Sequence, residues 1–409
     1  MELRAVAADE IDELVRVDNW AFSSAPPDAE RMAEIRRFLE PERTRVVFEG
    51  GRMVAASASL TFELTVPGRT VTPAAGITYV GVIPTHRRRG HLTRMMGALL
   101  DDAAEREEPV AVLLASESVI YGRFGYGLAS SHVSTEIASR YAGFRPEAPS
   151  AGGRIELLDG EAAGKVVPGV LDAARRLQPG DIRRPDAAWE NILRDPEQAR
   201  DGYSTVFYAV HESTAGEADG YAAYRVKHTW ENGLADGRVR VDELVATSTA
   251  AEADLWRYLF SVDLTETVEC EIRPVDDPLR WMLADPRRLR FTMVADYLFS
   301  RLIDVPAALA ARRYAVDGAL VLEVHDAFRP GAGGRFRLDG GPHGAECRRT
   351  TDEPDLSLSA EDLGALYLGG VRASTLAAAG RVTEHRPGAL GRADAMLLST
   401  PAPFCRTHF

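Results

Sequence analysis

The chain has 409 residues, 45% of them hydrophobic and 27% charged, with 61 acidic against 48 basic side chains and a formal net charge of -13. This length predicts two to three globular domains, because a single hydrophobic core rarely grows so large. The acidic balance disfavours a general nucleic-acid-binding protein. It is compatible with a cationic substrate, since acidic surfaces attract cations.

The first residues of the chain and its cysteines predict the cellular compartment of the protein. The first fifteen residues carry several acids and no apolar segment, unlike a secretory signal. No apolar run approaches the ~20 residues that span a bilayer. Cys270, Cys347 and Cys405 are odd in number and far apart, which disfavours a disulfide framework or a zinc site. We therefore expect a cytoplasmic protein with no membrane span and no bound metal.

The first part of the chain predicts a strand, a basic loop, a helix and a second strand. Residues 45–66 have the pattern of two strands around a glycine turn, and residues 77–84 that of a buried strand. Apolar residues then recur at helical spacing, namely Leu92, Met95, Met96, Leu99, Leu100 and Ala103. Residues 109–117 form the next buried strand. Two strands joined by a helix in this way are expected to be parallel.

The middle of the chain repeats this order of elements. Residues 141–153 are rich in proline, glycine, alanine and serine, which predicts a domain boundary. Over residues 155–305 strands and helices alternate again, with a helix predicted at 247–263 and one strand at 291–303. We expect this region to be a second copy of the first architecture.

A third segment begins near Val305 and has short strands followed by helices, which predicts a separate α+β domain. Within it, Ser359 precedes a helical pattern and Asp362 follows three residues later. This spacing is typical of a capping box at a helix N-terminus.

Three consecutive arginines, Arg87, Arg88 and Arg89, stand with Gly90 directly before the first predicted helix. A helix N-terminus presents unpaired N–H groups and a partial positive charge, and a glycine there allows an anion to approach closely. The turn lacks both the P-loop signature and the dinucleotide-binding G-x-G-x-x-G. The pattern predicts a diphosphate site; the alternative is a solvated basic turn paired with acids elsewhere.

These residues resemble a known superfamily. The stretch from Arg87 to Leu92 is similar to the Q/R-x-x-G-x-G/A signature of GCN5-related N-acetyltransferases (GNAT), differing at Leu92 where glycine or alanine is usual. Residues 64–68, 75–90 and 115–127 together resemble the Eis (enhanced intracellular survival) acetyltransferases of actinobacteria, which also carry leucine at that position.

The resemblance implies an α/β protein with mixed sheets, made of tandem GNAT folds and a C-terminal sterol-carrier-protein-like α+β domain. The expected ranges are 1–150 for a catalytic, acetyl-CoA-binding domain, 151–304 for a degenerate GNAT domain, and 305–409 for a sterol-carrier-like domain that ends in a catalytic C-terminus. The family assembles into hexamers, so a homo-hexamer is expected.

The second copy is expected to bind no cofactor. The turn that corresponds to the basic loop, within residues 244–256, has neither arginine nor glycine. Thr249 and Glu252 match the S/T-x-x-E capping box, so the helix would satisfy its own terminal donors and Glu252 would repel a phosphate. The domain would instead shape the acceptor pocket and subunit contacts.

Acetyl-CoA is the cofactor that the resemblance implies, with the thioester held by the main chain of a strand and the pyrophosphate by the basic loop. The residues that match these contacts are Val80, Gly81, Val82, Arg87, Arg88, Arg89, Gly90, His91 and Ser116.

Tyr121 matches the first tyrosine of the Tyr-x-x-x-Gly-Phe/Tyr pattern of these enzymes, which implies a general acid near the coenzyme sulfur. A phenol of pKa ≈ 10 is protonated at neutral pH and can donate. Packing is the alternative for Tyr121, and it is our prediction for Tyr126.

The C-terminus ends in Pro401, Pro403, Phe404 and Phe409, which indicates a stiff, apolar tail that packs against the protein. By itself this predicts only an anchored terminus. The Eis resemblance implies more, because in that family the terminal carboxylate, here that of Phe409, serves the N-terminal domain as the base for the amine.

Trp20, Phe22 and Phe38 are candidates for the lining of an acceptor pocket, with ordinary amphipathic packing as the alternative for each. Glu117 follows Ser116 and is a candidate for holding a water near the acceptor. His132 and His408 are weaker candidates, because a lone histidine is more often a hydrogen-bonded surface residue.

We therefore interpret the chain as an N-acetyltransferase in which an amine attacks acetyl-CoA directly in a ternary complex. The acceptors implied by the resemblance are small cationic amines such as aminoglycosides, other polyamines or lysine-containing peptides. Two alternatives stay open: an acyltransferase for a longer acyl-CoA, and a non-catalytic carrier of CoA or lipid.

Overall fold

The computed structural model describes residues 1–197 and 200–409, which fold into two compact units. The first unit comprises Met1–Ser130, Pro179–Ala187 and Tyr297–Phe409, and the second Ser131–Gln178 and Ala188–Asp296. No helix among the described residues is long and apolar enough to cross a membrane.

The strands, in chain order, are β1 (Glu2–Arg4), β2 (Val46–Glu49), β3 (Arg52–Val66), β4 (Thr70–Val82), β5 (Val110–Leu114), β6 (Gly127–Leu128), β7 (Ser131–Ala138), β8 (Arg154–Leu158), β9 (Phe207–Glu212), β10 (Ala218–Lys227), β11 (Trp230–Glu231), β12 (Leu234–Ala235), β13 (Gly237–Ala246), β14 (Thr265–Pro274), β15 (Arg290–Asp296), β16 (Leu298–Leu302), β17 (Gly318–His325), β18 (Gly334–Gly341), β19 (Gly344–Arg349), β20 (Leu356–Ser359) and β21 (Val382–Glu384).

The α-helices are α1 (Ile11–Phe22), α2 (Ala29–Phe38), α3 (His91–Glu105), α4 (Gly160–Arg175), α5 (Asp186–Arg194), α6 (Thr249–Phe260), α7 (Leu279–Met282), α8 (Val305–Ala311), α9 (Ala360–Tyr367), α10 (Ala373–Ala378) and α11 (Ala389–Leu397).

The first unit contains a seven-stranded sheet in the order β1-β2-β3-β4-β5-β16-β6. The long strands β3 and β4 form an antiparallel hairpin, and β4 pairs with β5 in parallel through the α3 crossover. The predicted strand–loop–helix–strand unit and its parallel pairing are thus confirmed. The buried face of α3 carries Met95, Met96, Leu99 and Leu100, as its helical spacing predicted.

A second sheet of the first unit has the order β19-β18-β17-β20-β21 and carries α8 to α11. Helix α9 begins at the predicted capping box: the Ser359 side chain accepts from the Asp362 N–H, and Asp362 accepts from the Ser359 N–H. One continuous apolar core joins this sheet to the first, from Leu14 and Leu60 to Leu338 and Leu363. The segment that ends the chain therefore folds as part of the first unit.

The second unit has a sheet in the order β15-β7-β14-β13-β10-β9-β8. Helices α4 and α6 pack on it, and Trp256 of α6 is among its largest buried side chains. Within the sheet, β13 and β14 are parallel, the counterpart of the β4–β5 pair. The repeated order of elements predicted over residues 155–305 is present in this unit.

Two local predictions in the second copy are wrong. The expected single strand at 291–303 is two strands, β15 and β16, which pair in different sheets. The N-cap of α6 is Ser248, whose side chain accepts from the Ala251 N–H, and not Thr249. Glu252 forms an ion pair with Arg273 instead of closing a capping box.

The expected domain boundaries, which divide the chain into 1–150, 151–304 and 305–409, remain predictions. Strand pairing divides the chain differently: β7, before residue 150, pairs with β14 and β15, while β16, after residue 297, pairs with β5 and β6. Residues 179–187 also pack in the first unit. These strands pair with partners far away in the chain, so the local composition of the sequence does not reveal which sheet they join.

Candidate functional site

Strands β4 and β5 separate in the middle of the first sheet. Their parallel ladder runs from Ala74 opposite Val110 to Ile77 opposite Leu113, and no further ladder pair of the described residues joins them. Beyond that point β4 still pairs with β3 on its other side, but the β4 backbone groups that face β5 have no partner on that strand, and buried groups of this kind require another partner. The opening therefore offers free main-chain donors beside Val80 and Ser116.

A bulge in β4 lies at this opening. Ala58 of β3 faces Thr78, but Ala56 faces Gly81, so β4 carries one extra residue between the two pairs. Tyr79, inside the bulge, has a φ of +51°, which is rare for a side-chain-bearing residue. Strain of this kind persists only where surrounding packing enforces it, and it is frequent at functional sites.

Helix α3 starts without a side-chain cap. Its N-cap is Gly90, with a φ of +81°, and the first turn has no acidic residue. A Cβ at Gly90 would meet no heavy atom within 4 Å, so the space in front of the helix is open. The helix thus presents unpaired N–H groups and its positive dipole end to that space.

The three predicted arginines surround this helix start and are exposed. Arg87 donates from Nη2 to the Ala21 carbonyl at 2.8 Å, and Arg89 donates from Nη1 to Oε2 of Glu49 at 3.2 Å. Within residues 1–197 and 200–409, Arg88 makes no side-chain hydrogen bond or ion pair; its φ is +64°. Arg88 is the guanidinium best placed to receive an anion without losing a protein partner.

His91 is the first residue of α3 and its ring is buried. Nε2 of His91 lies 3.3 Å from Oε1 of Glu49. Burial is the main cause that lowers the pKa of the His91 imidazole. The ring is therefore neutral at pH 7 and faces the protein. What His91 can offer to an anion is its backbone N–H.

Tyr121 lies in the apolar cluster that contains Ile77 and Leu113, the last pair before the strands separate. Burial, with a smaller contribution from the charge of Glu117, raises the pKa of Tyr121 to about 12. In the part of the chain that the structure describes, the Tyr121 hydroxyl has no hydrogen-bond partner. Ser116 and Glu117 lie on the loop between β5 and Tyr121, where Glu117 is exposed.

Tyr126 is in the core, as predicted. It is almost fully buried, its hydroxyl faces Sδ of Met96 at 3.7 Å, and its ring contacts that of Tyr121 edge to face. Burial also raises the pKa of Tyr126. Tyr126 therefore positions the ring of Tyr121.

The C-terminal tail is held by the segment Pro179–Ala187. Asp181 is completely buried and accepts from the Arg406 backbone N–H at 3.1 Å, and it forms an ion pair with the Arg406 guanidinium. The Asp181 carbonyl accepts from the Thr65 N–H of β3 at 2.8 Å. The Phe404 N–H also donates to the Pro179 carbonyl at 2.8 Å, so the tail is fixed near the end of β3 by Asp181 together with this backbone bond.

Phe409, the last residue, reaches the first sheet. Its half-buried ring packs edge to face on Phe62 of β3, with ring centroids 4.8 Å apart. The Phe62 ring covers Gly76 of β4, where an added Cβ would lie 2.1 Å from it. Gly76 directly precedes Ile77, the last paired residue, so the terminal residue lies close to the strand opening.

The predicted acceptor-lining residues occupy different surroundings. Trp20 is 40% exposed, with the guanidinium groups of Arg16 and Arg52 over its ring, and Phe22 is 50% exposed at the end of α1. Phe38 packs against the main core of the first unit.

The two histidine candidates belong to different units. His132 is buried in β7 of the second unit, and His408 lies in the tail of the first. His132 is buried, not at the surface as expected, and His408 is exposed; surrounding protein atoms nevertheless desolvate both imidazoles and lower their pKa, so both rings are mainly neutral at pH 7. Neither ring is therefore a source of positive charge for an anionic cofactor.

Two residues beside the strand opening, Asp18 and Tyr79, had no place in the sequence analysis. Asp18 lies on the face of α1 that also carries Leu14 and Ala21. A carboxylate on the apolar face of an amphipathic helix is the signal that could have identified it. Tyr79 had no such signal, because its positive φ depends on the bulge.

The comparisons with known proteins agree with this organisation. The family Acetyltransferase (GNAT) domain matches residues 2–129, a second Acetyltransferase (GNAT) domain family matches residues 180–302, and the Sterol carrier protein domain family matches residues 305–406. The predicted fold class, tandem GNAT folds followed by a sterol-carrier-like domain, is confirmed.

Relatives cover the chain almost end to end. An uncharacterised N-acetyltransferase of Streptomyces coelicolor is 42% identical, over 99% of this chain and 98% of its own. The N-acetyltransferase Eis of Mycobacterium tuberculosis is 38% identical, over 86% of this chain and 84% of its own. The crystal structure of Eis1 from Mycobacterium abscessus superposes with a TM-score of 0.88, at 35% identity and full coverage of both chains. The chain therefore belongs to the Eis family of N-acetyltransferases, within the GNAT superfamily.

Proposed function

We propose that this N-acetyltransferase uses acetyl-CoA to acetylate primary amines of aminoglycosides or of other polyamine or lysine substrates. The observation that carries the proposal is the uncapped N-terminus of α3, with Arg87, Arg88 and Arg89 around it, next to the opening between β4 and β5. The helix N-terminus with its arginines can bind an anionic diphosphate, and the opening between the strands can bind an extended chain of amide groups.

The residues present fit coenzyme A. The N–H groups of the first α3 turn, open space at Gly90 and the exposed guanidinium of Arg88 would hold the pyrophosphate. The main chain of Val80 to Val82 and Ser116 would hold the pantetheine and the thioester. Acetyl-CoA, when bound, supplies the acetyl thioester that the amine attacks directly in a ternary complex.

Tyr121 would donate a hydrogen bond toward the sulfur. Its raised pKa of about 12 keeps the phenol protonated across physiological pH. The same shift disfavours a buried phenolate, so we expect Tyr121 to be reprotonated from solvent after it gives up its proton. Phenylalanine at this position should lower kcat with little effect on CoA affinity.

The carboxylate of Phe409 would accept the amine proton. What supports this role is the buried Asp181 contact that fixes the tail and the packing of Phe409 on Phe62, beside Gly76. A carboxylate near an ammonium group also favours substrate binding, since opposite charges attract.

The first experiment measures thiol release from acetyl-CoA with kanamycin as the acceptor, and identifies the acetylated amines by mass spectrometry. Amine-dependent thiol release supports the proposal. Absence of release with kanamycin, spermidine and a lysine peptide would leave the carrier alternative as the better one.

Two variants test the assigned roles. Deletion of Phe409 should lower kcat by about 10²–10⁴-fold while CoA still binds, and Phe409→Leu, which keeps the terminal carboxylate, is the matched control. Arg88→Glu should weaken CoA binding, most at low salt, whereas Arg287→Glu, an exposed arginine of the second unit, should not. Normal turnover without Phe409 would refute the base assignment.

We also propose a homo-hexamer, as the family resemblance implies. The edge strand β15 supports a subunit contact, because Phe291, Met293 and Val294 are exposed on it, and unpaired apolar edges are normally covered. The molar mass in solution, measured by light scattering, should be about six times that of one chain; a monomer would contradict the proposal.

A further inference from the structure

Asp18 lies on helix α1 directly above the bulged strand. A Cβ added at Gly81 would lie 3.7 Å from Oδ1 of Asp18. It would lie only 2.8 Å from the Cβ of Ala21. Only a glycine at position 81 allows α1 to approach β4 this closely. The approach brings the Asp18 carboxylate to the strand that borders the opening.

The Asp18 carboxylate has no partner that explains its position. Oδ1 is buried, and among the residues whose positions the structure gives, none hydrogen-bonds or forms an ion pair with Asp18. Burial raises its pKa to about 6. Tyr79 on β4 interacts electrostatically with Asp18 and also with Arg31 of α2. A buried polar group without a partner is costly and calls for an explanation.

Asp18 and Phe409 lie on the same face of β4. Side chains of a strand alternate, so Gly76 and Gly81, five positions apart, would face opposite sides of a regular strand. The extra residue in the bulge shifts this alternation by one position, so Gly76 and Gly81 face the same side. The Phe62–Phe409 pair and Asp18 therefore lie on one side of the sheet. At ~3.3 Å per residue, the two positions are on the order of 15 Å apart along the strand.

We propose that Asp18 binds a second ammonium group of the acceptor while the reacting amine lies near the terminal carboxylate of Phe409. This inference deepens the proposed function and rests on it. Phe409 packs beside Gly76, before the opening, and Asp18 lies beside Gly81, past its start, so an acceptor with two amines would be held in one orientation. The separation between an acceptor's amines then selects which amine reaches the thioester.

The test compares wild type, Asp18→Asn and the control Asp9→Asn, which makes the same change at an exposed aspartate just before α1 that has no ion-pair partner among the described residues. With kanamycin, Asp18→Asn should raise KM by about 10- to 100-fold, the loss of one charge-assisted hydrogen bond, while kcat stays within about 2-fold. With glucosamine, which has a single amine, KM should not change. Asp9→Asn should behave as wild type with both.

Other outcomes would overturn the assignment. A collapse of kcat with unchanged KM would make Asp18 part of the chemical step. An equal rise of KM for kanamycin and glucosamine would indicate a structural role. Calorimetry of kanamycin binding to CoA-loaded protein separates this proposal from the function itself. If wild type and Asp18→Asn bind kanamycin equally, the second site is refuted, whether or not thiol is released.

Discussion

The Asp18→Asn variant should be more stable than the wild type at neutral pH. Burial raises the pKa of Asp18 from 3.8 to about 6, so the folded state disfavours the ionised carboxylate. The stability associated with this group is fully present below about pH 4 and is lost as pH rises through 6. Above pH 7 the folded protein carries a buried charge that asparagine would remove.

The size of the effect follows from the shift. About two pKa units at ~1.4 kcal/mol each give roughly 3 kcal/mol above pH 7. Asp18 is only partly buried, and the asparagine amide is itself costly to bury, so about 1–2 kcal/mol should appear. In a domain of this size that corresponds to roughly 2–5 °C in Tm.

Thermal unfolding of wild type, Asp18→Asn and the control Asp9→Asn at a series of pH values measures the effect. The Tm advantage of Asp18→Asn should grow from pH 4 to pH 7 and stay constant above. A variant that is less stable than wild type, or an advantage independent of pH, would refute the reasoning. A gain in Tm together with a rise in KM would be the trade-off expected of a functional residue.

Further predictions concern three other carboxylates. Glu49→Gln should release Arg89 for the diphosphate and tighten CoA binding by about 2- to 5-fold at low salt; titration with CoA measures this, and weaker binding would contradict it. Glu108→Gln leaves the buried guanidinium of Arg43 without its ion-pair partner and should cost about 3–5 kcal/mol, seen as a fall in the urea midpoint. Asp181→Asn should free the tail and lower kcat by about 10- to 100-fold with unchanged CoA affinity; normal kcat would show that the tail needs no anchor.

Much of the cofactor side of the site could be predicted from local sequence. The helix from His91, the buried strands before and after it, and the glycine after three arginines all lie within one short stretch of the chain. Their geometry is local, since a strand, a tight turn and an amphipathic helix are encoded by neighbouring side chains. The Ser359 cap was predictable for the same reason.

The acceptor side could not be predicted in this way. The bulge at Tyr79 requires the register between β3 and β4, and the position of Asp18 requires the approach of α1 to Gly81. The cap of α6 was misassigned by one residue, because Ser248 and Thr249 both fit the cap pattern and only the backbone decides between them.

The sequence by itself determined the basic turn before α3, the two strands that flank this turn and helix, and the family to which the chain belongs. The tertiary structure alone decided that β16 completes the first sheet, that Asp181 fixes a tail more than two hundred residues away, and that Phe409 packs on Phe62. The physical reason is range: helix periods and turns arise from adjacent residues, whereas these contacts depend on burying apolar surface between segments that are distant in the chain.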